Sequence, residues 1–260
     1  MRIAVVGRGW TGNKMISELE ARGHEVIAFP HTGISGMFNF ENTEWVVNCA
    51  GVTGSPNVDA CENDKVGTYR GNAVLPVDLR DTATFFGARF AHFSSGCIYQ
   101  GTIDNVYADP NYFGSTYSIS KGISDMILKD TSLVFRIRMP FTGLSEKKNY
   151  LTKVYNYAQN AKLWDGGYNS MTDLSEAVRV ACTLIEQDEV GPVNLVNQGS
   201  INMHELAEIM GITPEWFNDE EFAKATAAGR STCTIPAHEA MSDIRDALER
   251  AVHSIKAKNA

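Results

Sequence analysis

The sequence has few cysteines, and they are not arranged as a disulfide framework or as a metal site. Five cysteines, an odd number, are scattered along 260 residues with no CxxC pair and no Cys/His spacing of the zinc type. They are Cys49, Cys61, Cys97, Cys182 and Cys233. We therefore interpret them as reduced thiols of a cytoplasmic protein and predict no metal site.

Long apolar runs and an excess of basic residues are also missing. No apolar stretch reaches the roughly 18 residues of a membrane-spanning helix, and the opening residues, MRIAVVG, lack the pattern of an export signal. The 23 Lys and Arg residues are outnumbered by 31 Asp and Glu residues, which gives a net charge of −8. This balance argues against nucleic acid or an anionic membrane as partner, and leaves a small anionic ligand open.

The order of apolar segments predicts the fold class. Hydrophobic residues make up 43% of the chain and charged residues 21%, which is typical of a folded globular protein. Segments of strand length alternate with segments of helical period, beginning RIAVVG, KMISELEARG, HEVIAF and EWVVNCAG. This alternation predicts an α/β protein with a doubly wound, Rossmann-type parallel sheet that has helices on both faces.

Three glycines occupy the first turn between a strand and a helix. Gly7, Gly9 and Gly12 form the pattern GxGxxG in the segment Gly7-Arg8-Gly9-Trp10-Thr11-Gly12. In this position glycines let the backbone approach a pyrophosphate that lies on the helix N-terminus. We interpret the turn as a dinucleotide site, and the alternative is a tight glycine turn that binds nothing.

The end of the second predicted strand indicates which dinucleotide is bound. It reads Phe29-Pro30-His31-Thr32, without the Asp or Glu that holds the ribose 2′-hydroxyl of NAD. We therefore predict NADP(H) as the cofactor and leave NAD(H) open. Arg8 is a candidate ligand of the 2′-phosphate, and its alternative is a solvated surface arginine.

The strand and helix alternation loosens after about residue 140. We predict a dinucleotide-binding domain over residues 1–140, to which residues 172–198 return as an amphipathic helix and the strand GPVNLVN. Residues 141–171 and 199–260 would form a small C-terminal substrate-binding lobe, with a charged helical segment from Glu215 onward. A ligand crevice is expected at the carboxyl ends of the strands.

A Tyr and a Lys lie one helical turn apart after a strand that ends in two serines. The strand ends Ser94-Ser95-Gly96-Cys97, and the next helix opens with Tyr117-Ser118-Ile119-Ser120-Lys121. A nearby ammonium favours the phenolate, so that the phenol exchanges a proton more readily near neutral pH. Such a pair arises often by chance, and its position in the predicted βαβ order is what gives it weight.

These motifs together resemble the extended short-chain dehydrogenase/reductase family, which acts on nucleotide sugars. The closer resemblance is to the bifunctional nucleotide-rhamnose synthase/epimerase-reductase group and to dTDP-4-dehydrorhamnose reductases. It is carried by the segments NCAGVTGSPNVDACE, SSGCIY, FGSTYSISK, FRIRMP, NYLTK and NSMT. The glycine loop departs from the family, which usually has GxxGxxG and is one residue longer.

The resemblance implies a reductase triad of Ser95, Tyr117 and Lys121. Tyr117 would protonate the C4 oxygen of the sugar as hydride arrives, Ser95 would hydrogen bond that oxygen, and Lys121 would hold the ribose and lower the Tyr pKa. Asn72 would support the active-site helix. The implied cofactor contacts are Gly7, Arg8, Gly9, Trp10, Thr11, Gly12, Ala50, Gly51, Asn72, Tyr117, Lys121 and Pro140.

Cys97 distinguishes an epimerase from a plain reductase. Residues two apart on a strand share a face, so Cys97 is expected to face the substrate if Ser95 does. A thiol can move a proton on and off a carbon beside a carbonyl. The resemblance implies that it works with a Lys or a His from the second lobe, and NYLTK supplies Lys153. The alternatives are a small buried apolar residue for Cys97 and a solvated lysine for Lys153.

Four further residues are candidates for substrate contacts, each with a structural loop residue as its alternative. Arg230 suits a phosphate because its guanidinium is a planar fork of donors. The four are Thr53, Asn57, Asn149 and Arg230.

We therefore predict an enzyme that epimerises carbons 3 and 5 of a UDP- or dTDP-linked 4-keto-6-deoxyhexose and reduces C4 with NADPH. The product would be an L-rhamnose-type nucleotide sugar. One alternative is a reductase without epimerase activity, and a second is a catalytically silent, NADP-binding regulatory subunit. A homodimer is a further expectation.

Overall fold

A computed structural model of the chain describes residues 1–30 and 38–259. His31 and Thr32, which enter the cofactor prediction, lie outside the described residues. In the described ranges, none of the helices is both long and apolar enough to cross a membrane.

Six strands form one parallel sheet, as the sequence predicts. The strands of the protein, in chain order, are β1 (Arg2–Val6), β2 (Glu25–Phe29), β3 (Trp45–Asn48), β4 (Arg89–Ser95), β5 (Gly101–Thr102), β6 (Leu133–Ile137), β7 (Gly191–Asn194) and β8 (Cys233–Thr234). The sheet has the order β2-β1-β3-β4-β6-β7, and all its pairs are parallel. The short strands β5 and β8 pair with each other. The prediction of a doubly wound α/β fold is confirmed.

Helices connect the strands and cover both faces of the sheet. They are α1 (Trp10–Ala21), α2 (Ala60–Asn63), α3 (Lys65–Tyr69), α4 (Leu75–Phe85), α5 (Thr116–Leu128), α6 (Tyr150–Asn160), α7 (Leu174–Glu186), α8 (Met203–Met210), α9 (Asp219–Ala225) and α10 (Ile244–Asn259). A π-helical turn, Arg70–Val74, joins α3 to α4, and a 3₁₀ turn, Gly96–Ile98, follows β4.

The sheet is buried on both faces, as is usual for parallel sheets. In β1, Ile3 and Val5 pack with α1 and α7 on one face, and Ala4 and Val6 pack with α4 on the other. Side chains along a strand alternate between the faces, so both sets need apolar residues. This explains why β1 is apolar throughout.

A second apolar core lies outside the sheet. Phe141 packs there with Leu151 of α6, Leu206 of α8 and Leu248 of α10. These residues come from the ranges assigned to the substrate-binding lobe, and the division of the chain into two domains stays a prediction.

The charged segment from Glu215 is only partly helical, which corrects the prediction. Residues 226–243, between α9 and α10, contain β8 and no helix. Cys233 and Ile235 of this segment are buried beside Tyr99, and the Thr232 carbonyl accepts a hydrogen bond from the Gly101 backbone at 2.8 Å. Tertiary contacts therefore override the local helical tendency.

The strand order creates one crevice at the carboxyl edge of the sheet. The chain goes from β1 outward to β2 and then returns to the other side of β1 as β3. Ligands of open α/β sheets bind at such a reversal, outside the carboxyl ends of the strands. Gly7 follows β1 at this point, and residues 49–51 follow β3.

Candidate active site

A cavity of about 810 Å³ lies at this edge, between the sheet and the second core. Most of the predicted site residues line it, although they come from distant parts of the sequence. Those that line it are Gly7, Gly9, Trp10, Thr11, Ala50, Gly51, Thr53, Asn57, Ser95, Cys97, Tyr117, Lys121, Pro140, Lys153 and Arg230. Those that do not are Arg8, Gly12, Asn72 and Asn149.

The glycine loop is packed too tightly for side chains at two of its positions. Gly7 has a φ of +97°, and a Cβ atom there would lie 2.6 Å from the backbone nitrogen of Ala50. A Cβ atom on Gly12 would lie 1.8 Å from the Gly7 carbonyl oxygen. Gly9 faces open space and caps α1 without a side-chain hydrogen bond. The N-terminus of α1 is thus exposed to the cavity despite the shorter loop.

The other predicted residues of this loop take different positions. The Arg8 side chain is exposed, outside the cavity. The Trp10 indole donates a hydrogen bond to Glu146 at 2.7 Å, and Lys14 lies 3.4 Å from the same carboxylate. Glu146 therefore ties the glycine loop to the segment after β6.

Asn72 supports the loop that follows β3. Its side chain accepts a hydrogen bond from the Val52 backbone at 2.8 Å and donates to the Val52 carbonyl and to Ser120 of α5. A Cβ atom on Gly51 would lie 3.1 Å from the Lys121 ammonium and 3.2 Å from the Asn72 amide oxygen. Glycine at this position therefore lets the loop approach both polar groups.

The residues of the predicted triad converge on the cavity. Ser95 ends β4, and its hydroxyl oxygen accepts a hydrogen bond from the Cys97 backbone at 3.1 Å. Tyr117 and Lys121 lie in the first two turns of α5, whose N-cap is Ser115. The Lys121 ammonium donates to the Phe93 carbonyl at 3.1 Å.

Burial is the main influence on the pKa values of Tyr117 and Lys121. Burial raises the pKa of Tyr117, the nearby Cys97 raises it further, and Ser95 and Arg138 oppose this rise. The lowering of the phenol pKa by Lys121 stays a prediction. Burial lowers the pKa of Lys121 itself to about 8.

A buried ion pair behind the triad holds α5 against the sheet. Asp125 of α5 accepts hydrogen bonds from Arg136 of β6 at 2.6 and 2.9 Å, and the Ser94 hydroxyl donates to Asp125 at 2.9 Å. The Asp125 and Arg136 side chains are both fully buried. This pair was not predicted from the sequence, although an arginine in the apolar strand FRIR is a signal for it.

Cys97 reaches the cavity by a different geometry from the one predicted. β4 ends at Ser95, and Cys97 lies in the following 3₁₀ turn, so the alternation of strand side chains does not apply to it. Its sulfur accepts a hydrogen bond from the Arg138 guanidinium at 3.3 Å. Lys153 approaches the same cavity from α6. Burial, followed by the charge of Lys148, lowers the pKa of Lys153.

Two of the proposed substrate residues lie at the cavity with polar neighbours. Thr53 lies 3.5 Å from the Lys148 ammonium, and Asn57 donates a hydrogen bond to the Tyr157 hydroxyl at 2.9 Å. Pro140 also lines the cavity, and its carbonyl accepts a hydrogen bond from the Tyr150 backbone.

Arg230 also lines the cavity, whereas Asn149 does not, and the side chains of both are engaged within the protein. Both terminal nitrogens of Arg230 donate to Asp59 at 2.9 Å. Asn149 is fully buried, and its side chain caps α6 and donates to the carbonyls of Thr142 and Leu144. The expectation that Asn149 touches the substrate therefore does not fit its place in the structure, because capping occupies its amide.

Three aromatic residues at what we call the aromatic end of the cavity, Trp164, Phe217 and Phe222, were not predicted from the sequence. The rings of Trp164 and Phe222 are stacked with centroids 4.3 Å apart, and Phe217 packs beside them. The Trp164 indole donates to Asp219 at 2.8 Å. Trp164 lies in a loop far from Phe217 and Phe222 in the sequence, so no local motif connects it to them.

The parallel sheet, the glycine loop at the strand reversal and the Ser, Tyr and Lys side chains define an extended short-chain dehydrogenase/reductase-like fold. Comparison with known families makes this assignment specific. The sequence model of the RmlD substrate binding domain matches residues 1–238, and the chain belongs to this family.

Curated relatives of the chain include two proteins of Arabidopsis thaliana. A trifunctional UDP-glucose 4,6-dehydratase/UDP-4-keto-6-deoxy-D-glucose 3,5-epimerase/UDP-4-keto-L-rhamnose-reductase is 31% identical over 223 residues, which cover 78% of this chain and 32% of that protein. A bifunctional dTDP-4-dehydrorhamnose 3,5-epimerase/dTDP-4-dehydrorhamnose reductase is 32% identical over 204 residues, 72% of this chain and 66% of that protein. The chain thus spans about a third of the first relative and about two thirds of the second.

Solved structures share the fold along nearly the whole chain. The L780 UDP-rhamnose synthase from Acanthamoeba polyphaga mimivirus has a TM-score of 0.84 at 21% identity, and the match covers 98% of this chain and 99% of that one. Other structures with this fold are complexes with NADP, or with NAD and UDP-glucose.

Proposed function

We propose that the protein is an NADP(H)-dependent 4-keto reductase of a nucleotide-linked 4-keto-6-deoxyhexose that also epimerises carbons 3 and 5. The observation that carries the proposal is that Ser95, Cys97, Tyr117, Lys121 and Lys153 line one cavity. Ser95, Tyr117 and Lys121 suit carbonyl reduction. The thiol of Cys97 and the amine of Lys153 suit proton exchange at carbon. The reductase and epimerase activities of the relatives agree with this division.

The glycine loop and its surroundings fit a dinucleotide. Gly9 leaves open space for a pyrophosphate at the N-terminus of α1, where the helix dipole favours negative charge, and Gly7 lets the loop pack closely against Ala50. Lys121 and the Gly51 backbone would hold the nicotinamide ribose. A bound nicotinamide supplies the hydride. We propose NADP(H) rather than NAD(H) because the second strand ends without an acidic residue, and Arg8, an exposed side chain of the loop, remains the candidate for the 2′-phosphate.

Reduction of C4 needs a proton donor at the carbonyl oxygen. Because burial raises the pKa of Tyr117, the phenol keeps its proton at neutral pH and can donate it as hydride reaches the carbon. The Ser95 hydroxyl oxygen accepts from the Cys97 backbone, and the Ser95 side chain also hydrogen bonds the Tyr117 phenol. With substrate bound, the Ser95 hydroxyl would donate to the C4 oxygen. Together the two hydroxyls form a site for the developing negative charge.

Epimerisation uses the same carbonyl. The C4 keto group acidifies the C–H bonds at carbons 3 and 5, and the negative charge of the resulting enolate falls on the oxygen held by Ser95 and Tyr117. Cys97 would move a proton on one side of the sugar and Lys153 on the other. The lowered pKa of Lys153 makes it a better proton-exchange group near neutrality.

The substrate would extend from this point toward α6 and the aromatic end of the cavity. Thr53 and Asn57 stay as proposed substrate contacts. The Lys148 ammonium, which lies beside Thr53, is a third proposed contact. For Arg230 we propose a positioning role, because its ion pair with Asp59 holds the segment that contributes residues 229–232 to the cavity. Residues 141–171 and 199–260 would then act as the substrate-binding lobe.

Turnover in D₂O tests both activities in one experiment. The purified protein is incubated with NADPH and UDP- or dTDP-4-keto-6-deoxyglucose, NADPH absorbance is followed, and deuterium at carbons 3 and 5 is measured by NMR. We expect NADPH oxidation and deuterium at both carbons. Reduction without deuterium would indicate a reductase alone, and NADP binding without turnover would indicate a regulatory subunit. The homodimer stays a prediction, which light scattering would check.

A further inference from the structure

Arg138 is a buried cation directly after β6. Only 1% of its surface is exposed. One terminal nitrogen donates hydrogen bonds to the Cys97 sulfur at 3.3 Å and to the Ser231 hydroxyl at 3.0 Å. The other donates to the Ser231 carbonyl at 2.6 Å and to the Asn169 side-chain oxygen. The Nε atom is buried without a hydrogen-bond partner.

Arg138 and Arg136 differ in whether a carboxylate neutralises the buried charge. Arg136, two residues earlier, is also buried, and the carboxylate of Asp125 neutralises it. Across residues 1–30 and 38–259, no carboxylate forms an ion pair with Arg138. A buried charge is costly unless an opposite charge lies beside it.

The acidic groups around Arg138 are phenols and thiols. The positive charge of Arg138 acts to lower the pKa of three phenols, those of Tyr112, Tyr117 and Tyr150. Burial raises the pKa of each by more, so these phenols stay neutral. The charge of Arg138 also acts on the Cys233 thiol. Burial raises the pKa of this thiol, however, and its sulfur donates to the Gly96 carbonyl at 3.3 Å. Cys97 is the remaining group, and its sulfur accepts a hydrogen bond from the cation itself.

We propose that Arg138 is a positioning residue that holds Cys97 as a thiolate within the active-site cavity. Its role in catalysis rests on the proposed epimerase function. The thiolate sulfur takes a proton from carbon 3 or 5: the S–H bond forms, the C–H bond breaks, and its electron pair moves to the C4 oxygen. Because Ser231 and Asn169 fix the guanidinium, the sulfur is held toward the cavity.

Alkylation of Cys97 tests the thiolate without any substrate. The protein is treated with iodoacetamide over a range of pH, and modification of the peptide that contains Cys97 is followed by mass spectrometry. An ordinary cysteine is only about a few per cent thiolate at neutral pH. We expect a rate at Cys97 that has already levelled off at neutral pH. A rate that keeps rising into the alkaline range, as for a free thiol, overturns the proposal.

Two variants assign the effect to the charge of Arg138. Arg138→Gln should slow alkylation at neutral pH by about tenfold, because the variant loses the thiolate. The rate should recover at alkaline pH, because the reagent can still reach Cys97. Arg138→Lys should keep most of the rate. Equal rates in Arg138→Gln and the unmodified protein would contradict the proposal. If Arg138→Gln does not fold, the pH profile of the unmodified protein still decides whether Cys97 is a thiolate, and Arg138→Lys, which keeps the charge, should show the same profile.

The outcome separates this inference from the proposed function. Fast alkylation at neutral pH without deuterium exchange into the sugar would keep the thiolate and reject the epimerase. Deuterium exchange in a protein whose Cys97 reacts as a free thiol would keep the epimerase and reject the role of Arg138. In Arg138→Gln we expect deuterium exchange at carbons 3 and 5 to fall by about tenfold.

Discussion

The Lys121 ammonium donates its hydrogen bond to the Phe93 carbonyl, although Tyr117 lies one helical turn away on the same helix. Lys121 is therefore attached to β4, and the tyrosine phenol is left facing the cavity beside Ser95 and Cys97. Because burial and Cys97 both raise the pKa of Tyr117, the phenol is suited to donating a proton rather than accepting one.

Tyr117→Phe should lower the rate of NADPH oxidation by about 10²–10⁴-fold, since it removes the proton donor and leaves the ring in place. Binding of NADPH, measured by fluorescence titration, should stay close to that of the unmodified protein. Tyr155→Phe is the matched control, because Tyr155 is an exposed residue of α6 that does not line the cavity. Normal turnover of Tyr117→Phe would show that another group protonates the C4 oxygen.

The buried amine of Lys121 predicts an unusual pH dependence of stability. Its pKa is about 8 in the folded protein and 10.5 as the ordinary value, so above pH 8 the unfolded chain binds the additional proton and stability rises with pH. Relative to Lys121→Met, the free energy of unfolding should rise by up to about 3 kcal/mol between these two pKa values. Urea titrations at several pH values measure this difference, and a constant difference would contradict it.

The ion pair between Asp125 and Arg136 should contribute strongly to folding. Asp125→Asn leaves the fully buried Arg136 without its counter-charge and should lower the free energy of unfolding by about 3–5 kcal/mol. Glu220→Gln breaks an exposed pair with Lys224 on α9 and should cost no more than about 0.5 kcal/mol. Urea denaturation compares the two, and similar losses would mean that burial of the pair is unimportant.

The sheet and the triad could be predicted because their signals are local. Each parallel strand is a short apolar run, and the carboxyl ends of such strands meet at one edge, so the sequence predicts a ligand crevice there. Ser95 ends one of these strands, and Tyr117 opens the next helix. The contacts of Arg138 could not be predicted in this way. Ser231 lies 93 residues away from Arg138 in the sequence, and Asn169 lies 31 residues away.

Asn149 and the segment of residues 226–243 illustrate a second limit of the sequence. An asparagine before a helix suits a cap and a ligand contact equally well, and only the burial of Asn149 decides for the cap. The segment is charged enough to suggest a helix, but Cys233 and Ile235 bury it against Tyr99. Both outcomes depend on tertiary packing, which has no periodic signature.

Two glycine variants separate the effect of the close contact between Gly7 and Ala50 from the effect of the positive φ angle of Gly7. Gly7→Ala adds a Cβ atom 2.6 Å from the Ala50 nitrogen at a φ of +97°, whereas Gly23→Ala adds one in open space at a φ of +84°. Gly23→Ala should cost about 1–2 kcal/mol of stability and leave NADPH binding intact. Gly7→Ala should cost more and weaken NADPH binding, as measured by fluorescence titration. Equal behaviour of the two variants would argue against a cofactor at this loop.

Cys97→Ser separates the two half-reactions, because the thiol is needed only for proton exchange at carbon. Reduction of a substrate that is already epimerised should continue within about twofold of the normal rate, since Ser95 and Tyr117 are unchanged. Deuterium incorporation at carbons 3 and 5 should fall by about 10²-fold or more, because a hydroxyl is a far weaker base than a thiolate. Cys182→Ala, in the core beside α1, is the control that should keep both activities. Loss of both activities in Cys97→Ser would instead indicate that the thiol supports the triad.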